Sequence, residues 1–244
     1  MSLALKLVLS PLLIAQAMAT RRAAPVLPEA AGPREGRLGP ARGRAAVRVL
    51  IAGDSSAAGV GVAHQDQSVA GYLSRALHQR SGRTVRWTLR ARSGLTTLQV
   101  HEMLRDQRPP VADVAVLITG VNDVIDQVPS QRAVQHREAL ADWLLGEGLA
   151  THVLFAPLPP VHRFPMLPQP LRRVMGDDAR RHDDAMARWA ATRGDVSHTP
   201  IPLDLVPDTM ASDGFHPGEP VYRTCGEALA AFIATELIYS ETNT

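Results

Sequence analysis

The chain is poor in the residues on which metal, redox and nucleotide sites depend. Its one cysteine, Cys225, excludes an intrachain disulfide and is typical of a small core residue in a predicted helix. Its one lysine is Lys6, so a P-loop lysine further along the chain is excluded, and no Gly-x-Gly-x-x-Gly run occurs. The nine histidines include no His-Glu-x-x-His pattern, and His162 and His182 are expected at the surface. We therefore expect no metal and no cofactor.

Aromatic residues are also scarce, at 4% of the chain, so Leu, Val and Ala must build most of the core. A length of 244 residues with 45% hydrophobic content is enough for a substantial core and agrees with one domain. A formal net charge of +2 gives no reason to expect a nucleic-acid partner, although arginine is concentrated between residues 21 and 48.

The N-terminal region lacks an apolar run long enough for a comfortable transmembrane helix. Residues 1–20 are hydrophobic but are interrupted by Ser10, Pro11 and Gln16. A cleaved signal peptide, a membrane-associated anchor and a packed helix all remain open. The arginines that follow favour a cytoplasmic or membrane-associated protein over a secreted one, by the positive-inside rule. Residues 21–46, rich in Arg, Pro and Gly, are predicted to be a linker.

From residue 47 onward, short apolar runs alternate with longer stretches of helical spacing. This alternation favours right-handed βαβ crossovers and predicts, for residues 47–244, an α/β fold: a three-layer α/β/α sandwich with a five-stranded, mainly parallel sheet. The predicted strands are Val47–Ala52, Thr84–Arg90, Ala112–Ile118, Thr151–Pro157 and Pro200–Leu205, and the predicted helices are Ser68–Gln79, Thr96–Gln107, Ser130–Gly146, Asp177–Ala191 and Glu219–Tyr239.

Three polar segments lie where such a fold places its chemistry. Ser55 follows the first predicted strand in a Gly-Asp-Ser turn, which suits a nucleophile. Asp213 and His216, three positions apart near the end of the chain, could supply the imidazole that accepts a serine proton and the carboxylate that orients it. Asn122 follows another predicted strand and could donate to an oxyanion. Each segment taken alone is also ordinary turn or helix-cap chemistry.

Together the segments resemble the SGNH hydrolases, the GDSL-type esterase and lipase superfamily. Gly53-Asp54-Ser55 resembles the family's first block, Gly94 its second, Gly120-x-Asn122-Asp123 its third and Asp213-x-x-His216 its last. The resemblance implies a flavodoxin-like sheet, the catalytic residues Ser55, Asp213 and His216, and an oxyanion hole formed by Ser55, Gly94 and Asn122. One departure is Ser56, where the family's name implies leucine.

The expected function is a serine hydrolase that cleaves carboxylic esters through an acyl-enzyme, with a small-molecule or lipid ester as substrate. A thioesterase, a lipid deacylase, a carbohydrate O-acetyl esterase and a non-catalytic binding relative of the fold stay open as alternatives. Membrane association is expected to occur, if at all, through residues 1–20. The proline-rich loop 158–168 is predicted either to wall an acyl pocket or to be an ordinary surface loop.

Overall fold

The computed structural model describes residues 3–40 and 45–238. Residues 1–2 of the predicted anchor, residues 41–44 of the predicted linker and Tyr239 of the last predicted helix lie outside the described residues. The described residues form a central β-sheet. Its six strands are β1 Glu35–Leu38, β2 Val47–Gly53, β3 Val85–Ala91, β4 Val114–Ile118, β5 His152–Phe155 and β6 Val196–His198.

The strand order across the sheet is β1-β3-β2-β4-β5-β6. All neighbours from β3 to β6 are parallel, while β1 runs antiparallel to β3 at the edge. The chain leaves β2 toward β3 on one side, and β4 to β6 continue on the other side. The carboxyl ends of β2 and β4 therefore border the point where the connections diverge, which is where open α/β sheets form a crevice.

Helices cover both faces of this sheet, as the predicted three-layer sandwich requires. On β2 and β4 buried side chains alternate between two apolar clusters, Val49 and Ile51 facing one and Leu50 and Ala52 the other. The helices are α1 Leu3–Ala23, α2 Ser55–Ala58, α3 Val69–Ser81, α4 Thr97–Asp106, α5 Val121–Ile125, α6 Ser130–Gly146, α7 Leu171–Ala190 and α8 Glu219–Phe232, the last continued by a π-helical stretch Ile233–Ile238. Helices α3 and α8 cover the Val49 face, and α4, α6 and α7 cover the Leu50 face.

The sheet differs from the predicted five strands at both edges. The predicted strand Pro200–Leu205 has no regular structure, and the last strand lies earlier, at Val196–His198. Ile201 and Leu205 are buried, which gives the segment its apolar character. Its two prolines, Pro200 and Pro202, have no backbone N–H to donate to a neighbouring strand.

The predicted linker is also corrected in part. Within residues 21–46, strand β1 pairs with β3, and Ala30 is buried. A strand of four residues with a single apolar side chain, Leu38, is too short for its period to be visible in the sequence. Gly36 faces the Trp87 ring, whose Nε1 would lie 2.7 Å from an added Cβ, so the absence of a side chain lets the edge strand approach. This segment is therefore packed against the domain.

The predicted N-terminal segment forms helix α1, which packs beside α7. The Gln16 side chain donates from Nε2 to the Gln169 carbonyl at 2.6 Å and accepts from the Leu171 amide at 3.2 Å. Leu13 packs against the Leu50-side cluster. Across the described residues, no helix combines the length and the apolar character needed to cross a membrane.

Candidate active site

The structure brings Ser55 and His216 together from opposite ends of the sequence. Ser55 is the first residue of α2, directly after β2, and its Oγ lies 3.1 Å from His216 Nε2. His216 lies in the loop that leads into α8. The local path of the chain is fixed by Gly53: an added Cβ there would lie 2.0 Å from the Ile118 carbonyl oxygen, so only glycine allows β2 and β4 to approach this closely.

Asp213 completes a chain of three side chains. Its Oδ2 lies 2.5 Å from His216 Nδ1, and its Oδ1 accepts from the backbone amides of Phe215 and His216, each at 2.9 Å. Burial alone would raise the pKa of Asp213, but the hydrogen bonds from the His216 side chain and from the two amides outweigh it and lower the pKa below its usual value. Asp213 is therefore held as a carboxylate that orients the imidazole.

Asp54, the residue before Ser55, is a second buried carboxyl group with the opposite shift. It is 2% exposed and its side chain caps α2 by accepting from the Ser56 amide at 3.0 Å. Burial raises the pKa of Asp54 to about 7, against the lowering effect of the Ser56 amide and of nearby His216. Below a pH of about 7, a neutral carboxyl group is thus favoured one residue away from the candidate nucleophile.

The two further residues predicted for an oxyanion hole lie on the same cavity as Ser55. Gly94 is exposed in the loop between β3 and α4, and Asn122 lies in α5, directly after β4. The Asn122 side chain donates from Nδ2 to the Leu95 carbonyl at 3.0 Å. This bond uses one of the two N–H groups of the amide and fixes the side chain, which leaves the other N–H group for a ligand.

The cavity that holds these groups has a volume of about 530 Å³. Ser55, Gly94, Asn122 and His216 all line it, and most of the remaining wall is apolar. Examples of the apolar lining residues are Val60, Ile118, Ala156, Phe164, Leu203 and Val221. An apolar cavity with a few converging polar groups is the common form of a small-molecule site.

The proline-rich loop 158–168 contributes to both the cavity and the core. Pro159 and Phe164 line the cavity, whereas Leu158 and Val161 are buried in the Leu50-side cluster. The Phe164 ring packs edge-on against Phe215, with centroids 5.0 Å apart, in the loop that carries Asp213 and His216. The loop is therefore a wall of the pocket and is held in place by its own buried side chains.

The family model of the GDSL-like lipase/acylhydrolases matches residues 51–224, which include Ser55, Gly94, Asn122, Asp213 and His216. The chain belongs to that family. It is thus a member of a family of ester hydrolases, for which a catalytic triad and an oxyanion hole are standard. A GDSL-like esterase from Mycobacterium tuberculosis (strain ATCC 25618 / H37Rv) is 28% identical to this family member over 196 residues, which are 75% of this chain. The chain spans 60% of the length of that relative.

Solved structures of GDSL-type proteins share the fold of this family member. A lipase from a goat rumen metagenome is similar with a TM-score of 0.62 at 16% identity, covering 78% of this chain and 97% of its own. A lipolytic G-D-S-L family protein from Veillonella parvula gives a TM-score of 0.60 at 14% identity, covering 79% of this chain and 100% of its own. At such identities the likeness shows the fold alone, which is the flavodoxin-like α/β fold.

The sequence analysis of this GDSL-like protein missed a buried ionic cluster next to Asn122, formed by Arg137 and Asp123. Arg137 of α6 is fully buried, and its Nη2 lies 3.6 Å from Asp123 Oδ2. Asp123 in turn accepts from the amide and hydroxyl of Thr97 at the start of α4. Burial lowers the pKa of Arg137, and the nearby carboxylates oppose this. The cluster thus ties α4, α5 and α6 together next to Asn122.

His182 of α7 is a correction to the sequence analysis, because it is 3% exposed and not at the surface. Burial lowers its pKa, and the charge of Arg137 lowers it further. His162 is exposed, as expected. His182 stands between two pairs of charged residues, Arg180-Arg181 and Asp183-Asp184, which is why the sequence analysis placed it at the surface.

A second set of missed residues lies N-terminal to the family match. Glu29 Oε1 accepts from the Ser93 amide at 2.7 Å, directly before Gly94. Arg34 is ion-paired to Glu29 and donates from Nη1 to the Ala91 carbonyl at 2.6 Å. The segment predicted to be a linker therefore holds the Gly94 loop at its start.

Proposed function

We propose that this GDSL-like protein cleaves carboxylic esters through an acyl-enzyme formed on Ser55. The observation that carries the proposal is the continuous path from Ser55 Oγ to His216 Nε2 at 3.1 Å and from His216 Nδ1 to Asp213 Oδ2 at 2.5 Å. Both ends of the imidazole are engaged, which is the arrangement that activates a hydroxyl nucleophile.

In the first half-reaction Ser55 Oγ attacks the carbonyl carbon of the ester while its proton passes to His216 Nε2. The carbonyl oxygen becomes an oxyanion, which accepts hydrogen bonds from the Ser55 amide, the Gly94 amide and the Asn122 side chain. Collapse of this intermediate breaks the bond to the alcohol, which takes the proton from His216. The ionised Asp213 stabilises the imidazolium that exists between these two steps.

In the second half-reaction water replaces the alcohol. His216 takes a proton from the water, whose oxygen attacks the acyl carbon, and the second tetrahedral intermediate collapses to release the acid. Ser55 regains its proton from His216, so the enzyme returns to its starting state. The apolar cavity supports an ester with an apolar acyl or alkyl group.

The test compares Ser55→Ala with Ser56→Ala, because the two serines are adjacent at the start of α2. Ser55→Ala is expected to abolish covalent labelling by a fluorophosphonate probe and to lower ester turnover by on the order of 10⁴-fold or more. Ser56→Ala is expected to remain labelled, since its hydroxyl makes no bond in the path to His216. Labelling that survives in Ser55→Ala, or that is lost only in Ser56→Ala, would overturn the proposal.

The substrate class is addressed with the same preparations. A panel of p-nitrophenyl esters of graded acyl length is compared with an acyl thioester and an acetylated sugar, which represent the alternative activities. Folded wild-type protein that neither binds the probe covalently nor turns over any member of the panel would identify a non-catalytic relative of the fold.

A further inference from the structure

Helix α1 covers the domain with one face and leaves the opposite face uncovered by any described residue. The inward face carries Leu13 and Gln16, which contact the Leu50-side cluster and the start of α7. With about 3.6 residues per turn, Met18 lies almost opposite this face. Large apolar side chains away from the inward face are strongly exposed: Val8 by 77%, Ile14 by 60% and Met18 by 50%.

Up to Glu29, the charged residues of the sequence are all of one sign. The first acidic residue of the chain is Glu29, and Lys6, Arg21 and Arg22 precede it. Arg21 and Arg22 lie exposed in the last turn of α1. An apolar helix face with a cationic end matches a surface that offers both acyl chains and negative headgroups.

The same segment borders the active-site cavity. Arg21 and residues 24–27 form part of the cavity wall, on the cavity that also holds Ser55. Val26, next to the cavity, is 97% exposed. The C-terminal end of α1 and the segment after it therefore border the cavity that holds Ser55.

We propose that α1 and residues 24–27 form a docking surface for an anionic lipid bilayer, and that the cavity receives its ester from that bilayer. The second part rests on the proposed ester hydrolase function. The helix lies in the plane of the headgroups, with Ile14 and Met18 among the acyl chains and the arginines at the phosphate level. An apolar ester then enters the cavity without crossing bulk water, which removes the cost of hydrating its acyl chain.

Binding is measured by co-sedimentation of the full chain with phosphatidylcholine vesicles, with and without phosphatidylglycerol. Ile14→Glu/Met18→Glu is expected to weaken binding to anionic vesicles by about tenfold or more, because two apolar side chains no longer enter the lipid. The uncharged pair Ile14→Gln/Met18→Gln is expected to weaken binding less, and it separates lost apolar contact from charge repulsion. Arg22→Glu is expected to weaken binding only when phosphatidylglycerol is present.

The matched control is Val111→Glu, since Val111 is an exposed apolar residue, at 48%, in the loop between α4 and β4 and outside α1. This variant is expected to bind vesicles as the wild type does. Equal binding by wild type, control and α1 variants, or no binding by wild type, would overturn the docking surface. A wild-type dimer in vesicle-free solution that dissociates in Ile14→Glu/Met18→Glu would instead assign the face to a second copy of the chain and also overturn the proposal.

Delivery of substrate is tested with two esters. Wild type and Ile14→Glu/Met18→Glu are expected to hydrolyse a water-soluble short-chain p-nitrophenyl ester at equal rates, whereas the variant hydrolyses a long-chain ester embedded in anionic vesicles at least about tenfold more slowly. Equal rates on the embedded ester would overturn delivery from the bilayer. Vesicle binding in the expected pattern by a wild type that hydrolyses neither ester would show that the ester hydrolase function fails while the docking surface stands.

Discussion

Replacing Asp54 by asparagine is expected to make the protein more stable at neutral and alkaline pH. Asp54 is buried, and its pKa rises from 3.8 to about 7 on folding. Asparagine has nearly the same shape and cannot ionise. Its side-chain oxygen can still accept from the Ser56 amide, so the cap of α2 is retained.

The sign and size follow from the proton balance. Below the unfolded pKa of 3.8, Asp54 is neutral in both states and costs nothing. As the pH rises from there, the unfolded chain releases the proton while the folded protein keeps it, so the free energy of unfolding falls by about 1.36 kcal/mol per pH unit. The fall ends as the pH passes the folded pKa of about 7, after a shift of roughly three units, which makes a loss of about 4 kcal/mol.

The assay is urea denaturation of wild type and Asp54→Asn at matched pH values from about 4 to about 8. The titration of all other groups is common to both proteins, so the difference between their free energies of unfolding isolates Asp54. We expect the variant to gain on the wild type steadily up to a pH of about 7 and to keep its advantage above it. A difference that is constant with pH, or that favours the wild type increasingly as the pH rises, would refute the reasoning.

Two further predictions concern the groups around the oxyanion. Asn122→Ala is expected to lower turnover by about 2.7 to 4 kcal/mol of transition-state stabilisation with little change in KM, and steady-state kinetics showing unchanged turnover would remove Asn122 from the site. Glu29→Ala removes the acceptor that holds the loop of Gly94, so kcat is expected to fall by about tenfold to a hundredfold with KM nearly unchanged. Asp113→Ala, which breaks a comparable ion pair with Arg48 elsewhere, serves as the control, and an equal fall in kcat for both variants would contradict a positioning role for Glu29.

The central part of the fold could be predicted because its signals are local. The apolar runs that became β2 and β4 are buried on both faces, and the polar turns after them were visible as interruptions at Ser55 and Asn122. The juxtaposition of Ser55 with His216 followed from the family resemblance, since 161 positions separate them in the sequence. The roles of these residues stay predictions until the variants are measured.

The parts that could not be predicted depend on partners distant in sequence. Arg137 stands in a helix with charged neighbours, and nothing in its own segment indicates that it is fully buried against Asp123. Glu29 lies in a segment whose Pro, Gly and Arg content is typical of a linker. Its connection to the site is the hydrogen bond from the Ser93 amide, which the sequence of that segment does not indicate. Helix α7 begins at Leu171, before the predicted Asp177. No side-chain hydrogen bond caps its start, so the sequence offered no capping residue from which to predict it.

The short helices that contain Ser55 and Asn122 pack into different apolar clusters, one on each face of the sheet. Ala57 of α2, the helix that begins at Ser55, belongs to the cluster on the α3 and α8 side, while Val124 of α5, the helix that contains Asn122, belongs to the opposite cluster. The sheet separates the two clusters. Heating or a core substitution that loosens one layer before the other would therefore displace Ser55 relative to Asn122, and ester turnover would be lost before the whole domain unfolds.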